Sequence, residues 1–445
     1  MSDLNEAGWA ERLRQRIEDR SANVCVMGLG YVGLPLAVLL GQAGFHVTGI
    51  DPDRERCAAL LRGESYVGDV PADAIAALTA SGHMDASADP EPLARADAVI
   101  ICVPTPLSKS KDPDISYIVG AVENLARHRH PGMLVVLEST TYPGTTEEIL
   151  MPRLANDGFA IGEDIFVAYS PERVDPGNRN YSIRNTPKVI GGATPACLSL
   201  AVALYGSIVE QTVPVSSPAA AEMVKILENT YRAVNIGLAN EMAQICQRIG
   251  LDVWEVIAAA STKPFGFSPF YPGPGLGGHC IPIDPLYLTW KMRSLSVQTR
   301  FIELADVVNT DMPAYVVRRV QDALNDIERP LRGSRVLVLG VAYKPDVADL
   351  RESPALTIIE LLQDRGAQVL YHDPFVHQLD LPGGERLAGI ELAEEDLALA
   401  DCVLVHTAHS SYDWGWVARN ARLVFDTRGV IQPGEVANGA LYYRL

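Results

Sequence analysis

The sequence has no pair of cysteines at the CxxC spacing. Its seven cysteines, Cys25, Cys57, Cys102, Cys197, Cys246, Cys280 and Cys402, are odd in number and irregularly spaced. That argues against a disulfide framework and supplies no zinc ligand set, so no metal is expected. No apolar run reaches the roughly 18 residues that a membrane helix needs. The segment from Met1 to Arg20 is rich in Glu and Arg and lacks the apolar centre of a signal peptide. It reads as a short solvated helix, and the chain as cytoplasmic with no membrane partner. Cationic excess is also missing: 37 Lys and Arg stand against 55 Asp and Glu, a formal charge of −18. Such a chain is a poor ligand for a nucleic-acid backbone. If its ligands are anionic, a few cations must be concentrated at the site.

What is present is an ordinary globular composition, 48% hydrophobic and 21% charged over 445 residues. That length divides into two or three domains. Near the start, the apolar run Val24-Cys25-Val26-Met27 leads straight into Gly28-Leu29-Gly30-Tyr31-Val32-Gly33. A helix-compatible stretch, Leu34 to Ala43, follows, and a second strand, His46 to Ile50, ends on Asp51. Strand, glycine-rich turn, helix, strand and acid make the βαβ unit that binds a dinucleotide. Gly28 permits the tight turn, Gly30 the approach of a pyrophosphate, and Gly33 close packing of helix on strand. The helix N-terminus offers free N–H groups to the phosphates. Asp51 can accept from ribose hydroxyls and would repel a 2′-phosphate, which favours NAD over NADP.

Three further strands, at 98–103, 133–138 and 165–169, end in the polar loops Pro104-Thr105-Pro106, Ser139-Thr140-Thr141 and Ser170-Pro171-Glu172. Ligands of open α/β sheets bind beyond the carboxyl ends of the strands, so these loops are expected around the reacting groups. From Pro218 to about Ile249 only Gly237 interrupts a helix-compatible run, long enough for a helix of roughly 45 Å. It suits a connector between domains and a dimer interface, with Gly250 as its stop. The last third repeats the first: Arg335 to Gly340 is a strand ending on glycine, and Gln368 to Pro374 parallels Val47 to Pro52. The fold class is therefore α/β, with two Rossmann-like doubly wound domains joined by a long central helix and a helical dimerisation segment. The boundaries fall at 1–212, 213–325 and 326–445. The second sheet has no GxGxxG and is not expected to hold NAD, although it could hold another nucleotide.

The most unusual segment is Tyr271-Pro272-Gly273-Pro274-Gly275-Leu276-Gly277-Gly278-His279-Cys280-Ile281-Pro282-Ile283-Asp284-Pro285. A glycine-rich loop wraps a ligand closely, and a thiol in it is reachable, whereas Cys25, Cys102 and Cys402 read as buried strand residues. Lys225 and Asn229 are four apart on the long helix and share a face, where a cation and an amide could hold an oxyanion, or simply face water. Asp284 could orient water or merely close a turn. Lys344 and Arg351 could be phosphate ligands or surface charges. A one-step dehydrogenase that makes no use of Cys280 remains an alternative at this point.

Together these segments resemble the UDP-glucose/GDP-mannose dehydrogenase family. The resemblance rests on Gly28 to Pro35, Val103-Pro104-Thr105-Pro106, Glu138-Ser139-Thr140, Ser170-Pro171-Glu172-Arg173, Lys225 with Asn229, Gly277 to Pro285, and Lys344-Pro345-Asp346 with Arg351 to Pro354. It implies a four-electron oxidation of a sugar CH2OH to a carboxylate, with two NAD per sugar and Cys280 as covalent nucleophile. By this analogy Lys225 and Asn229 hold the oxyanion, while Asp284, Thr140 and Glu172 position water and move protons. The cofactor set is Gly28, Gly30, Tyr31, Val32, Gly33, Asp51, Arg56, Thr105, Thr140 and Arg351, the last reaching NAD from the neighbouring subunit in some members. The substrate set is Glu172, Lys225, Asn229, Tyr271, Gly273, Gly275 and Lys344. The sequence departs from the UDP-glucose branch at Ile283, where that branch has Lys. It departs again in the loop Lys263-Pro264-Phe265-Gly266-Phe267, where that branch presents an Arg to the partner subunit. This wording is similar to the branch acting on UDP-N-acetylhexosamines, UDP-N-acetylglucosamine foremost, for surface polysaccharide, in a homodimer or larger homo-oligomer.

Overall fold

The computed structural model describes residues 8–108, 112–173, 178, 180–436 and 439–445. They form two compact units, one within residues 8–228 with 290–296, the other within residues 229–289 with 297–445. Among the described residues no helix is long and apolar enough to cross a membrane.

The first unit is built on eight strands: β1 (Asn23–Met27), β2 (His46–Ile50), β3 (Met84–Ser87), β4 (Ala98–Ile101), β5 (Met133–Leu137), β6 (Ile165–Tyr169), β7 (Lys188–Gly192) and β8 (Thr212–Val215). Their order is β3-β2-β1-β4-β5-β6-β7-β8. The first six are parallel, and β7 pairs antiparallel with β6. The order 3-2-1-4-5-6 is that of a dinucleotide-binding sheet, with its switch point between β1 and β4. Both faces are covered, so the strands read as continuous apolar runs rather than as alternation. Val24, Ala98, Leu134 and Phe166 pack on one side, and Cys25, Val99, Val135 and Val167 on the other. Pro214 is tolerated in β8 because that strand is an edge.

The second unit carries β9 (Arg335–Leu339), β10 (Gln368–His372), a short hairpin of β11 (Gln378–Asp380) and β12 (Arg386–Ala388), β13 (Cys402–Val405), β14 (Leu423–Asp426) and β15 (Leu441–Arg444). The main sheet is wholly parallel, in the order β10-β9-β13-β14-β15, with its switch point between β9 and β13. Val336, Val338 and Leu404 face one layer, which includes Val316 and Val320 of the helix Arg300–Asn325. Leu337, Leu339 and Val405 face the other.

The long helix runs from Pro218 to Ile249, 32 residues or about 48 Å. Gly250 follows at φ +77°, a left-handed stop that glycine takes without strain. The N-terminal segment differs from the expectation of a solvated helix. Trp9–Glu18 is helical, but Leu13 and Ile17, four apart, form a buried stripe on the first unit's core. Residues 1–7 of that segment lie outside the described residues.

Candidate active site

The glycine-rich turn closes on the end of β1. Gly28 has φ +92°, and a Cβ there would lie 2.5 Å from the Cys102 carbonyl oxygen. A Cβ on Gly33 would overlap the Gly28 carbonyl, so the helix Gly33–Gln42 can start this near the strand only on glycine. A Cβ on Gly30, by contrast, would meet nothing within 4 Å, which leaves space for a ligand against the backbone. No side chain caps this helix; Leu34 N–H donates to Gly30 O at 3.1 Å and Pro35 has no N–H, so the N–H groups of Val32 and Gly33 are the ones that can face phosphate oxygens. Asp51 is buried; it accepts from Leu29 N–H at 2.9 Å and Asp53 N–H at 3.0 Å, and Arg56 Nη1 lies 3.4 Å away. Tyr31, next to Gly30 in the chain, is half exposed.

Two loops at the carboxyl ends of the strands are fixed by buried polar groups. The Ser139 hydroxyl donates to Val103 O at 2.8 Å, tying the loop of Thr140 to the strand end before Pro104 and Thr105. Glu222, on the first turns of the long helix, accepts from Gly144 N–H, Thr146 N–H and the Thr146 hydroxyl at 2.5, 2.9 and 2.7 Å. Burial pushes its carboxyl up to about 6, and those donors limit the rise. One turn on, Lys225 is buried and donates to Glu172 O at 2.9 Å and to the Glu172 carboxylate at 3.3 Å. The two residues singled out separately in the sequence therefore form one ion pair. Arg173 reaches Glu228 at 2.6 Å and holds the same loop to the same helix.

In the second unit the structure unites three more candidates. Asn229 donates to the Asp284 carboxylate at 2.6 Å, and Asp284 N–H donates to the Cys280 carbonyl at 2.8 Å. Asp284 is buried and opens the helix Asp284–Ser294, so Cys280 sits one turn ahead of a helix N-terminus. Six of the seven cysteines are buried, and Cys280 is the one that is not. Burial pushes Cys25 up to about 12 and raises Cys57, Cys102 and Cys402, which makes those thiols poor nucleophiles.

The glycines of the cysteine loop mark close approaches within this unit. Gly273 N–H donates to the buried Asn240 Oδ1 at 2.9 Å, and Asn240 is tied to Asn309 at 2.8 Å. A Cβ on Gly275 would stand 3.2 Å from Pro354, and one on Gly278, at φ +83°, 2.8 Å from the Tyr343 ring. Gly278 N–H donates to Arg351 O at 2.9 Å, so the cysteine loop is bonded to the segment that carries Lys344 and Arg351. The Arg351 side chain grips Asp349 with Nε and Nη2, at 3.0 and 2.6 Å. Tyr271 is half exposed and stacks on Trp254, ring centroids 5.8 Å apart.

Sequence reasoning missed Glu222, Lys188 and Arg428. Arg428 is half-buried, donates through Nε to His406 O at 2.7 Å, and has Nη1 2.8 Å from where a Gly273 Cβ would be. Burial pulls it down to about 10, against Asp426. The signal was there: an arginine two residues past a strand end on the ligand side of a parallel sheet.

The first unit thus carries an NAD-type sheet with the Lys225–Glu172 pair, and the second a parallel sheet with the bonds that link Asn229, Asp284 and Cys280; each taken by itself is a part expected of a nucleotide-sugar dehydrogenase. The chain belongs to the UDP-glucose/GDP-mannose dehydrogenase family. That family's NAD binding domain matches residues 22–209, its central domain residues 219–311 and its UDP binding domain residues 337–433. The chain is 34% identical to UDP-N-acetyl-D-mannosamine dehydrogenase of Methanococcus maripaludis, over 92% of this chain and 93% of that protein. It is 38% identical to UDP-N-acetyl-D-glucosamine 6-dehydrogenase of Pseudomonas aeruginosa, over 81% and 85%. Among solved structures it is similar to UDP-D-ManNAc dehydrogenase of Pyrococcus horikoshii, with a TM-score of 0.85, 31% identity, and 95% and 98% covered. NAD is the cofactor of this family's first domain. The open space at Gly30, the uncapped helix and Asp51 fit it.

Proposed function

We propose that this enzyme oxidises the C6 hydroxymethyl group of a UDP-N-acetylhexosamine to the carboxylate, with UDP-N-acetylglucosamine as the first candidate and Cys280 as the covalent nucleophile. The observation that carries the reading is that Cys280, alone among the thiols, is only partly buried, in a loop where its carbonyl accepts from Asp284 N–H and the Asp284 carboxylate accepts from Asn229. NAD, when bound, would supply the hydride acceptor for each of the two oxidations. Gly28, Gly30, Tyr31, Val32, Gly33, Asp51, Arg56 and Thr105 hold it, with Arg351 from this chain or a second copy.

The first oxidation leaves an aldehyde at C6. The Cys280 thiolate adds to that carbon, a C–S bond forms, and the carbonyl electron pair moves to O6. Lys225 and Asn229 stabilise that oxygen. Loss of hydride from the thiohemiacetal leaves a thioester. Water, positioned by Asp284, Thr140 and Glu172, adds to it, breaks the C–S bond and returns the thiol. Covalent capture keeps the aldehyde from escaping between the two oxidations. Lys344, Tyr271, Gly273 and Gly275 hold the nucleotide sugar. The domains are NAD binding at 1–212, central at 213–325 and UDP-sugar binding at 326–445.

The sugar assignment is supported by the loop Lys263–Phe267, which carries no arginine, exposes Phe265 and Phe267 and so leaves room for an acetamido group. It is supported too by relatives named for N-acetylhexosamine substrates. UDP-N-acetylgalactosamine and UDP-glucose are the competing substrates within the same chemistry. A homodimer is supported by Leu238, Ile245 and Ile249 on the long helix and Phe301 and Leu304 on the helix Arg300–Asn325, all exposed. The product serves surface polysaccharide synthesis from the cytoplasm. Initial rates of NADH formation with the UDP-activated epimers GlcNAc, ManNAc, GalNAc and Glc test the assignment. Preference for an N-acetylated sugar is expected, and a strong preference for UDP-glucose contradicts it.

A further inference from the structure

Lys188 opens β7 and plays no part in the chemistry above. Its ammonium is buried, 2.9 Å from Glu138 Oε1 and 3.2 Å from the Pro171 carbonyl. Glu138 is buried at the end of β5, and the Tyr205 hydroxyl donates to the same carboxylate oxygen at 2.5 Å. The lysine also stands over the Tyr205 ring, 5.1 Å from its centroid. A buried ion pair of this kind adds little net stability, because desolvation offsets the attraction between the charges. Its placement is more telling. The carbonyl that Lys188 holds is that of the residue immediately before Glu172.

The turn 170–172 is gripped at three successive residues. The Ser170 hydroxyl donates to Val189 O at 2.8 Å, on the strand that Lys188 begins. Lys188 donates to Pro171 O, and Lys225 donates to Glu172 O and to its carboxylate. Each bond removes freedom from the backbone that aims the Glu172 side chain. A narrow cleft, with a cavity volume of only about 20 Å³, is lined by Tyr31 and Val32 of the glycine-rich turn together with Glu138, Glu172, Arg173 and Lys188. The grip is therefore applied beside the cofactor turn, where small displacements of a reacting group are costly.

We infer that Lys188 is a positioning residue: through the Pro171 carbonyl it fixes where the Glu172 carboxylate stands, while Glu138 and Tyr205 hold the lysine in place. This rests on the reading of Glu172 as a catalytic residue. Glu138 neutralises the ammonium, so the cation can be buried at the turn without bringing an unpaired charge into the cleft. Arginine could preserve the grip; methionine could not.

The test compares Lys188→Met, Lys188→Arg, the double variant Glu138→Gln/Lys188→Met and Glu172→Gln by steady-state kinetics, NAD titration and thermal melting. The double variant buries no unpaired charge, and so separates loss of the grip from failure to fold. It is expected to melt near the wild-type temperature and to keep NAD affinity and the sugar KM within about threefold, while kcat falls about 10- to 100-fold. Lys188→Arg is expected to restore kcat to within about fivefold. A double variant with wild-type kcat, beside a slow Glu172→Gln, overturns the role of Lys188 and leaves Glu172 standing. A Glu172→Gln enzyme with wild-type kcat overturns the reading of Glu172 and the inference with it. Loss of NAD affinity, KM and kcat in parallel with melting temperature marks Lys188 as merely structural and also overturns the inference.

Discussion

The two sheets begin with the same local structure and end in different sites. In the first, Gly28 N–H donates to Ile50 O at 2.7 Å and Leu29 N–H to Asp51; in the second, Gly340 N–H donates to His372 O at 2.8 Å and Val341 N–H to Asp373. Both glycines have positive φ. The acids then part company. A carboxylate has about four lone-pair sites. Asp51 receives two backbone N–H groups and the more distant Arg56, which leaves capacity for a ribose hydroxyl. Asp373 receives Val341, Ala342, Phe375 and Val376 N–H groups and the His409 ring at 2.9 Å, and is full. The helices differ as well. The first starts at Gly33, against the turn; the second starts at Pro354, and the intervening segment carries Lys344 and Arg351. One turn is left open, as a dinucleotide requires, and its counterpart is sealed and followed by a longer segment before its helix.

The contrast between open and sealed groups orders the expected effects. The largest concerns the thiols. Cys280→Ser is expected to lower uronic acid formation by at least about 10³-fold, because no other thiol is accessible to replace it. Wild-type acid formation by that variant would end the covalent account. Next is Asp373→Ala, which orphans four N–H groups and the buried His409, and is expected to cost about 3–5 kcal/mol in urea unfolding while leaving NAD affinity unchanged. Asp51→Ala reverses that pattern: NAD affinity is expected to drop about 10- to 100-fold by calorimetry, with a smaller loss of stability. If both variants lose NAD equally, the two acids are not functionally distinct.

The smallest effect belongs to Glu222. Its folded carboxyl is raised to about 6 from an ordinary 4.5, chiefly by burial. Between those values the folded protein holds a proton that the unfolded chain has released. Stability from this group is thus complete below about pH 4.5 and declines as pH rises through 6, by about 2 kcal/mol in all. Glu222→Gln is expected to remove that slope. Parallel melting curves against pH for wild type and variant would refute it.

Much of this was legible in the sequence where residue type and spacing act locally. The turn Gly28 to Gly33 and the shared helix face of Lys225 and Asn229 depend on neighbours within about one or two turns of chain. That Cys280 is less buried than the other cysteines was legible from the glycines before it. The bond from Asn229 to Asp284 was not, because 55 residues separate the partners. Nor was the clamp of Lys188, Glu138 and Tyr205, which is assembled by β5, β7 and the helix Pro195–Gly206 from three segments with no common pattern. Residues 9–18 misled for a related reason: the charges dominate the composition, but two apolar residues four apart decide which face is buried.

In the proposed reaction Cys280 holds the substrate from the first oxidation to the second. Counting NADH formed per uronic acid released from UDP-N-acetylglucosamine tests it most directly. Two NADH per acid, with no free aldehyde trapped by hydroxylamine, is the expected result; one NADH per product, with the aldehyde released, contradicts it.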